Sequence, residues 1–329
     1  MENQLSDPRD QYIKLIDTDK CRAVYEPHLV FVCGGRVDPT AMTNHSIRNM
    51  FMNLSAGLKD SGDHDYILAE NFKDWKDGYR SLSDFENDIA HISSLVIVFL
   101  ESEGALTEFG LFYANKLLRK KLIAILHTKY YDSESFIKFG LLNPLEELDE
   151  RLVRAYEIDH KDIENVKREE VVDISEDISE HCNTTRGSEK FDVSNRGHVI
   201  FLIFQITDLF LALTKTEIEK YLEAIGIRIS RKDTNSALFI LNKFKLIGSK
   251  KRSSQTFYFT SINATERVEL HFKKIQLPFG RGESRIDQSA IKIRVGEFYR
   301  ESMRLNSGFR NRVKVIEAVL SAEKRHETV

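Results

Sequence analysis

Glu101 and Glu108 flank a turn in the stretch Leu95-Val-Ile-Val-Phe-Leu-Glu-Ser-Glu-Gly-Ala-Leu-Thr-Glu-Phe-Gly110, where an apolar run passes through small residues into a helical pattern. Placed at a strand's carboxyl end and in the first turns of the next helix, the two carboxylates point into one crevice above an open α/β sheet. Carboxylates so placed hold ribose hydroxyls or attack an anomeric carbon. Glu108 suits the second task. An ionised carboxylate that attacks an oxocarbenium-like sugar carbon gives a covalent glycosyl-enzyme, which water or another base then resolves. Substrate contacts are expected from Cys33, Gly34 and Gly35, where glycine admits a ligand close to the backbone. Further contacts are expected from Glu86 and Asp88 before the third strand, and from Glu101, Ser102 and Gly104 in the turn after it. The dipole of the helix that begins at Thr107 and Glu108 favours an anion and is expected to lower the Glu108 pKa. A plainer alternative stays open: Glu108 only stabilises a helix amino terminus, Glu101 is solvated, and Gly34-Gly35 is a turn.

The elements that must carry these residues alternate. His28 to Gly34 is a short apolar run stopped by glycines, and Ala41 to Leu58 has helical apolar spacing. Tyr66 to Glu70 reads as a strand, Leu82 to Ile92 as a helix, Leu95 to Leu100 as a strand, Leu106 to Leu118 as a helix and Leu122 to Leu126 as a strand. Strands and helices in this order predict an α/β fold with a flavodoxin/Rossmann-like parallel sheet covered on both faces. Residues 1–25 read as an amino-terminal extension and 26–150 as the catalytic domain.

Residues 151–195 are acidic and poorly periodic and read as a charged, partly helical connector. Residues 144–192 hold sixteen acidic and seven basic residues, whereas 228–252 hold eight basic residues and one acid, Asp233. A partner that meets the second patch meets a basic surface. Over 196–275 the pattern is a helix at His198, a capping box of Thr214 and Glu217 that opens a helix to Ala224, a helix from Ser230 to Lys245, and a basic turn, Ser249 to Gln255, between short strands. Three helices and a basic hairpin form the plan of a winged helix, a mainly α domain. Its recognition helix would offer Arg231, Lys232, Thr234, Asn235, Lys243 and Lys245, and Lys250, Lys251 and Arg252 would form the tip. Lysines meet phosphates, while Asn235 or Arg231 can reach base edges. Nucleic-acid contact is the favoured reading, with a solvated surface or a protein-docking face as the alternatives. The tail, 276–329, is basic and carries a last helix from Arg312 to Lys324.

The 329 residues suffice for two cores. Cys21, Cys33 and Cys182 form no CxxC pattern and the ten histidines no HxxH or HxH cluster, so neither disulfides nor a metal nor another cofactor is expected. A polar, mixed-charge start argues against a signal peptide and fits the cytoplasm. Val199 to Leu213 is apolar but short and contains Gln205 and Asp208, which favours a buried core helix over a membrane span.

Phe99 to Gly110, with Phe31-Val-Cys-Gly-Gly35 and Glu86-Asn87 upstream and Arg119 to Ile123 downstream, resembles the effector proteins encoded beside retron reverse transcriptases. In that family a nucleoside deoxyribosyltransferase-like domain precedes a winged-helix DNA-binding domain, and the resemblance covers both halves in that order. It implies an antiphage toxin held inactive by reverse transcriptase and its multicopy, RNA-linked single-stranded DNA, and assembly with copies of itself. The nucleophilic glutamate of the transferase motif maps onto Glu108. The chain departs from that motif in Gly104-Ala-Leu-Thr-Glu-Phe-Gly110, and Glu101 stands where many transferases carry aspartate. The expected activity is N-glycosidase cleavage of the base–ribose bond of NAD or of a nucleoside or nucleotide. The alternative is a non-catalytic winged-helix DNA-binding regulator whose first domain senses a nucleotide.

Overall fold

The computed structural model describes residues 6–38, 43–57, 64–260, 265–273, 275–276, 283–284 and 287–326. The chain divides into two compact units, one formed by 25–75 and 81–187, the other by 1–24, 76–80 and 188–329.

The first unit is built on five strands: β1 (His28–Cys33), β2 (His64–Ile67), β3 (Leu95–Phe99), β4 (Leu122–His127) and β5 (Val153–Tyr156). All neighbours are parallel, in the order β2-β1-β3-β4-β5. β1 and β3 are buried at every residue, as expected of central parallel strands, so their Val, Ile and Phe run without polar alternation. Four helices carry the side chains that matter here: α1 (Ile47–Gly57), α2 (Leu82–Ile92), α3 (Glu103–Ala114) and α4 (Arg168–Thr184). Ser81 caps α2 by accepting from the Asp84 amide, and Ser102 caps α3 by accepting from the Ala105 amide at 3.2 Å. The chain reverses its winding direction between β1 and β3, which opens a crevice at their carboxyl ends.

Several expectations shift. Of the helix expected over Ala41–Leu58, α1 occupies Ile47–Gly57, and Ala41, Met42 and Leu58 lie outside the described residues. The strand expected at Tyr66–Glu70 ends at Ile67, and Ala69–Asn71 form a single helical turn. The helix expected at Leu106–Leu118 begins at Glu103 and is broken at Asn115, whose side chain caps a new turn by accepting from the Leu117 amide. The stretch expected as a connector over 151–195 contains β5 and α4, and both belong to the first unit. The acidic residues of α4 mark its solvated face, while Val171, Ile174 and Ile178 are buried.

In the second unit, α5 (Arg196–Leu209) is buried nearly all round, as the apolar run predicts of a core helix. Among the described residues no helix is long and apolar enough to cross a membrane. Then come β6 (Leu213–Thr214), α6 (Lys215–Ala224), α7 (Arg231–Lys243) and the hairpin β7 (Ile247–Arg252) and β8 (Gln255–Thr260), with sheet order β6-β8-β7. Residues Arg22–Val24 pair between Ser188–Lys190 and Val268–Glu269, so the amino-terminal segment is part of this unit. The tail adds α8 (Gln288–Ser302) and α9 (Ser307–His326), which extends the helix expected at Arg312–Lys324.

Glu217 joins distant parts of this unit. It completes the capping box with Thr214 and also accepts from Arg9 Nη1 and Arg312 Nη2, each at 2.7 Å. Both guanidinium groups donate to the Tyr299 hydroxyl, which itself donates to the Phe210 carbonyl at 2.8 Å. Burial alone would raise the Glu217 pKa, but Arg312 and Arg9 outweigh it and hold the carboxyl at about 2. Loss of this acid leaves two buried cations without their shared partner, so Glu217→Ala should cost about 3–5 kcal/mol by denaturant unfolding at neutral pH. A depressed acid stabilises the fold above its ordinary 4.5, so the wild type should lose this advantage as pH falls from there towards about 2.

Candidate active site

Glu101 follows β3 and is fully engaged by backbone amides. Its Oε1 accepts from Gly35 N at 2.8 Å and Arg48 N at 3.1 Å, and its Oε2 from Ile47 N at 2.7 Å. These donors are the turn after β1 and the amino terminus of α1, so Glu101 binds the two together. Burial raises its pKa, and the three amides oppose that rise. The glycines serve the same clamp. A Cβ on Gly35 would come within 2.7 Å of Ser46 Cβ and 3.0 Å of Glu101 Cδ, and one on Gly34 within 2.9 Å of Phe99 Cβ. The space beside Gly34-Gly35 is filled by this chain's own side chains.

Arg48, in the first turn of α1, is the residue that sequence patterning missed. It is 3% exposed. Its Nε donates to Gly35 O at 2.7 Å and its Nη1 to Val32 O at 3.0 Å, and its guanidinium pairs with Glu70. Three glutamates share its field: Glu70, Glu86 on α2 and Glu108 on α3. No local motif announces this cation, since its partners come from β1, the turn after β2 and two other helices.

Glu108 sits in the second turn of α3, because the helix starts at Glu103. The dipole acts mainly within the first turn, so it does not govern this carboxyl. Burial does, and it raises the Glu108 pKa; Arg48 pulls it down, Glu70 pushes it up, and the Cys33 thiol donates a hydrogen bond to it. The expected lowering by the helix dipole is thus replaced by a rise. Glu108 Oε2 is buried and has no hydrogen-bond donor among the described residues. Cys33 is itself fully enclosed at the end of β1, and burial followed by the Glu108 charge keeps it a thiol. It therefore acts as a donor to the carboxylate and not as a nucleophile.

Glu86 is 8% exposed. Burial first, then the Glu108 and Glu70 charges, push its carboxyl up to about 7. Two buried carboxyls that repel each other titrate apart, which is the condition for one to act as nucleophile and the other to carry a proton. Asp88 is also buried, but it lies roughly 200° further round α2 and so points to another face. Ser102 caps α3, and Gly104 and Thr107 lie exposed in its first turns. The structure therefore brings Cys33, Glu86 and Glu108 together, adds Arg48 and Glu70, and uses Glu101, Gly34, Gly35 and Ser102 to build the frame.

Of the residues singled out in the other unit, Arg231, Lys232 and Asn235 lie on the exposed face of α7. Asn235 accepts from Lys215 Nζ at 2.7 Å. Thr234, expected to be available, is buried and donates to Ser230 O. The Lys243 ammonium lies 5.3 Å from the Phe239 ring centre. Lys250, Lys251 and Arg252 do not form the hairpin tip: they are in β7, and the turn is Ser253-Ser254.

A parallel α/β sheet with buried, mutually repelling carboxyls at its switch point defines the first unit. The chain belongs to the STM3845 retron effector protein family, whose sequence pattern matches residues 44–250. It is 34% identical over 127 residues, 38% of its length, to the Escherichia coli protein named "Retron Ec86 putative ribosyltransferase/DNA-binding protein", of which the match covers 39%. It is 40% identical over 80 residues, 23% of its length, to the correspondingly named Escherichia coli protein of retron Ec73, of which the match covers 25%. The chain thus matches well under half the length of these curated relatives.

Glu101→Ala would leave three amides without an acceptor, at about 1–3 kcal/mol for each that stays buried. Amide hydrogen exchange at Gly35, Ile47 and Arg48 should accelerate sharply, and the melting temperature should fall. Glu108→Gln removes a charge that burial disfavours, so it should leave exchange at those amides unchanged.

Proposed function

We propose that this retron effector is an N-glycosidase that cleaves the base–ribose bond of NAD or of a nucleoside or nucleotide, with Glu108 as nucleophile. One observation carries the reading: a buried carboxylate oxygen on Glu108 lacks a donor among the described residues, and Glu108 lies in the field of a second carboxyl, Glu86, that is pushed up to about 7. A buried acceptor without a partner costs stability, and reactive sites are where such a cost recurs. Attack by Glu108 on C1′ forms the C1′–O bond as the C1′–N bond breaks. Protonated Glu86 gives its proton to a leaving nucleobase. As a carboxylate it then takes a proton from the water that attacks C1′ and releases Glu108. Nicotinamide leaves NAD as a neutral molecule, so with that substrate Glu86 is needed only for the water step. Arg48 offsets the negative charge and holds the turn after β1.

The second unit supports the nucleic-acid half of the reading. Helices α5, α6 and α7 followed by the β7–β8 hairpin follow winged-helix order, with Arg231, Lys232, Asn235, Lys243, Lys250, Lys251 and Arg252 as the proposed contacts to phosphates. The ligand we propose is the RNA-linked single-stranded DNA of the retron, with reverse transcriptase and further copies of this chain as partners and antiphage toxicity as the outcome. Both named relatives carry "ribosyltransferase/DNA-binding" in their names, which supports a protein with both activities. The competing reading is a regulator that senses a nucleotide without catalysis. It draws on Glu101, whose carboxylate is wholly committed to amides.

Glu108→Gln separates the two. In the glycosidase reading it reduces base release from NAD or nucleosides by about 10³-fold or more, with folding and complex assembly intact. Base release at the wild-type rate would contradict that reading. With nucleoside substrates the rate should fall as pH rises above about 7 and Glu86 loses its proton, and Glu86→Gln should erase that limb. Folded Glu86 binds its proton more tightly than the unfolded chain does, so stability should also decline between pH 4.5 and about 7 and Glu86→Gln should remove the decline. For the second unit, Lys251→Glu should weaken DNA binding at every sequence and lower the slope of log affinity on log salt by about 1. An unchanged slope would remove Lys251 from the interface.

A further inference from the structure

The carboxyl edge of the sheet holds a concavity beside the glutamate cluster. A cavity of about 360 Å³ opens past the ends of β3 and β4; Glu101, Ser102 and Glu103 of the turn after β3 line it, whereas Glu86, Glu108 and Arg48 do not. That volume lies within the range of small-molecule sites. Leu100, Leu106, Leu126 and Ile137 make most of its wall apolar. Leu106 remains 38% exposed there, although it belongs to a well-formed helix.

Aromatic and hydroxyl groups give this hollow a chemical character. Tyr130 stacks on His160 with ring centres 5.5 Å apart and planes 30° apart, and both line the cavity. His127 meets Tyr130 edge to face, with ring centres 6.0 Å apart. The Ser133 hydroxyl gives its proton to Tyr130 O at 2.8 Å, so toward a ligand it can only accept. The Ser135 hydroxyl accepts from Lys138 N at 3.1 Å and keeps its own proton to donate. A neighbouring donor and acceptor match an amide or amidine edge, the feature common to nucleobases and nicotinamide. Lys161 at the rim adds a cation of the sign a phosphate requires.

We propose that this cavity is a second ligand site, taking the planar nitrogen heterocycle of a nucleotide between the leucine wall and Tyr130, with Ser133 and Ser135 at the ring's polar edge and Lys161 toward its phosphate. The inference goes beyond the glycosidase reading, since it does not involve Glu108.

The test is calorimetric titration of the full-length protein with AMP and, separately, with nicotinamide mononucleotide. Two cavity variants and one control accompany the wild type: Tyr130→Ala removes the stacking face, Ser133→Phe fills the hollow from an exposed position, and Glu108→Gln leaves the cavity intact. Saturable binding of at least one probe, weakened about tenfold or more by both cavity variants and unchanged by Glu108→Gln, is the expected result. Binding that neither cavity variant weakens, binding lost only in Glu108→Gln, or no binding of either probe at millimolar concentration would overturn the proposal. Base release measured on the same samples reports on the glycosidase reading separately.

Discussion

A buried guanidinium must find acceptors from every element within reach, and Arg48 imposes that requirement on the whole crevice. It draws the carbonyls of Val32 and Gly35 toward itself from the end of β1, and it pairs with Glu70 beyond β2. Glu101 completes the arrangement from β3 by gathering the amides at the start of α1. Once these bonds are made, the turn after β1 is rigid and the field around Glu86 and Glu108 is set. Glu86 and Glu108 are set in the field of this one cation, and burial raises the pKa of both, with the Glu108 charge adding to the rise at Glu86. The chemistry proposed for the site rests on that imbalance, with the Glu86 carboxyl pushed up to about 7.

The second unit solves a similar problem in the opposite sense. Glu217 is an acid between two buried cations, so its proton affinity falls where that of Glu86 rises. The same residue caps α6 and anchors Arg9 from near the amino terminus and Arg312 from α9. Tyr299 closes the network through its hydroxyl and lies within 5.1 Å of both guanidinium centres by ring centroid. Segments that look like an extension and a tail in sequence are thereby made part of one core.

How much of this is visible in the sequence depends on the range of the interaction. Apolar periodicity marks β1, β3, β4, α2 and α5, because burial of each is a property of its own residues. The capping box of Thr214 and Glu217 is equally local and is present. β5 escapes notice since Val153-Arg-Ala-Tyr156 is a short edge strand inside an acidic stretch, and only pairing with β4 defines it. Glu108 is legible from the strand–turn–helix layout, but its surroundings are not. Arg48, Glu70 and the free Oε2 depend on contacts made across tens of residues. For the same reason the helix dipole misleads as to the direction of the Glu108 shift: α3 begins earlier than its apolar pattern suggests, and burial outweighs the dipole. Glu101 misleads in another way, since a carboxylate at a strand end looks like a substrate ligand until its amide partners are known.

The central claim is a covalent bond from the Glu108 carboxylate to a sugar carbon. The most direct measurement is intact-protein and peptide mass spectrometry after incubation with 2′-deoxy-2′-fluoroarabino analogues of NAD and of nucleosides, which slow the second step of a double displacement. The account predicts a glycosyl adduct confined to the peptide that carries Glu108 and absent from Glu108→Gln. Base release from the natural substrate with no adduct from its fluoro analogue, or an adduct on any other residue, would contradict it.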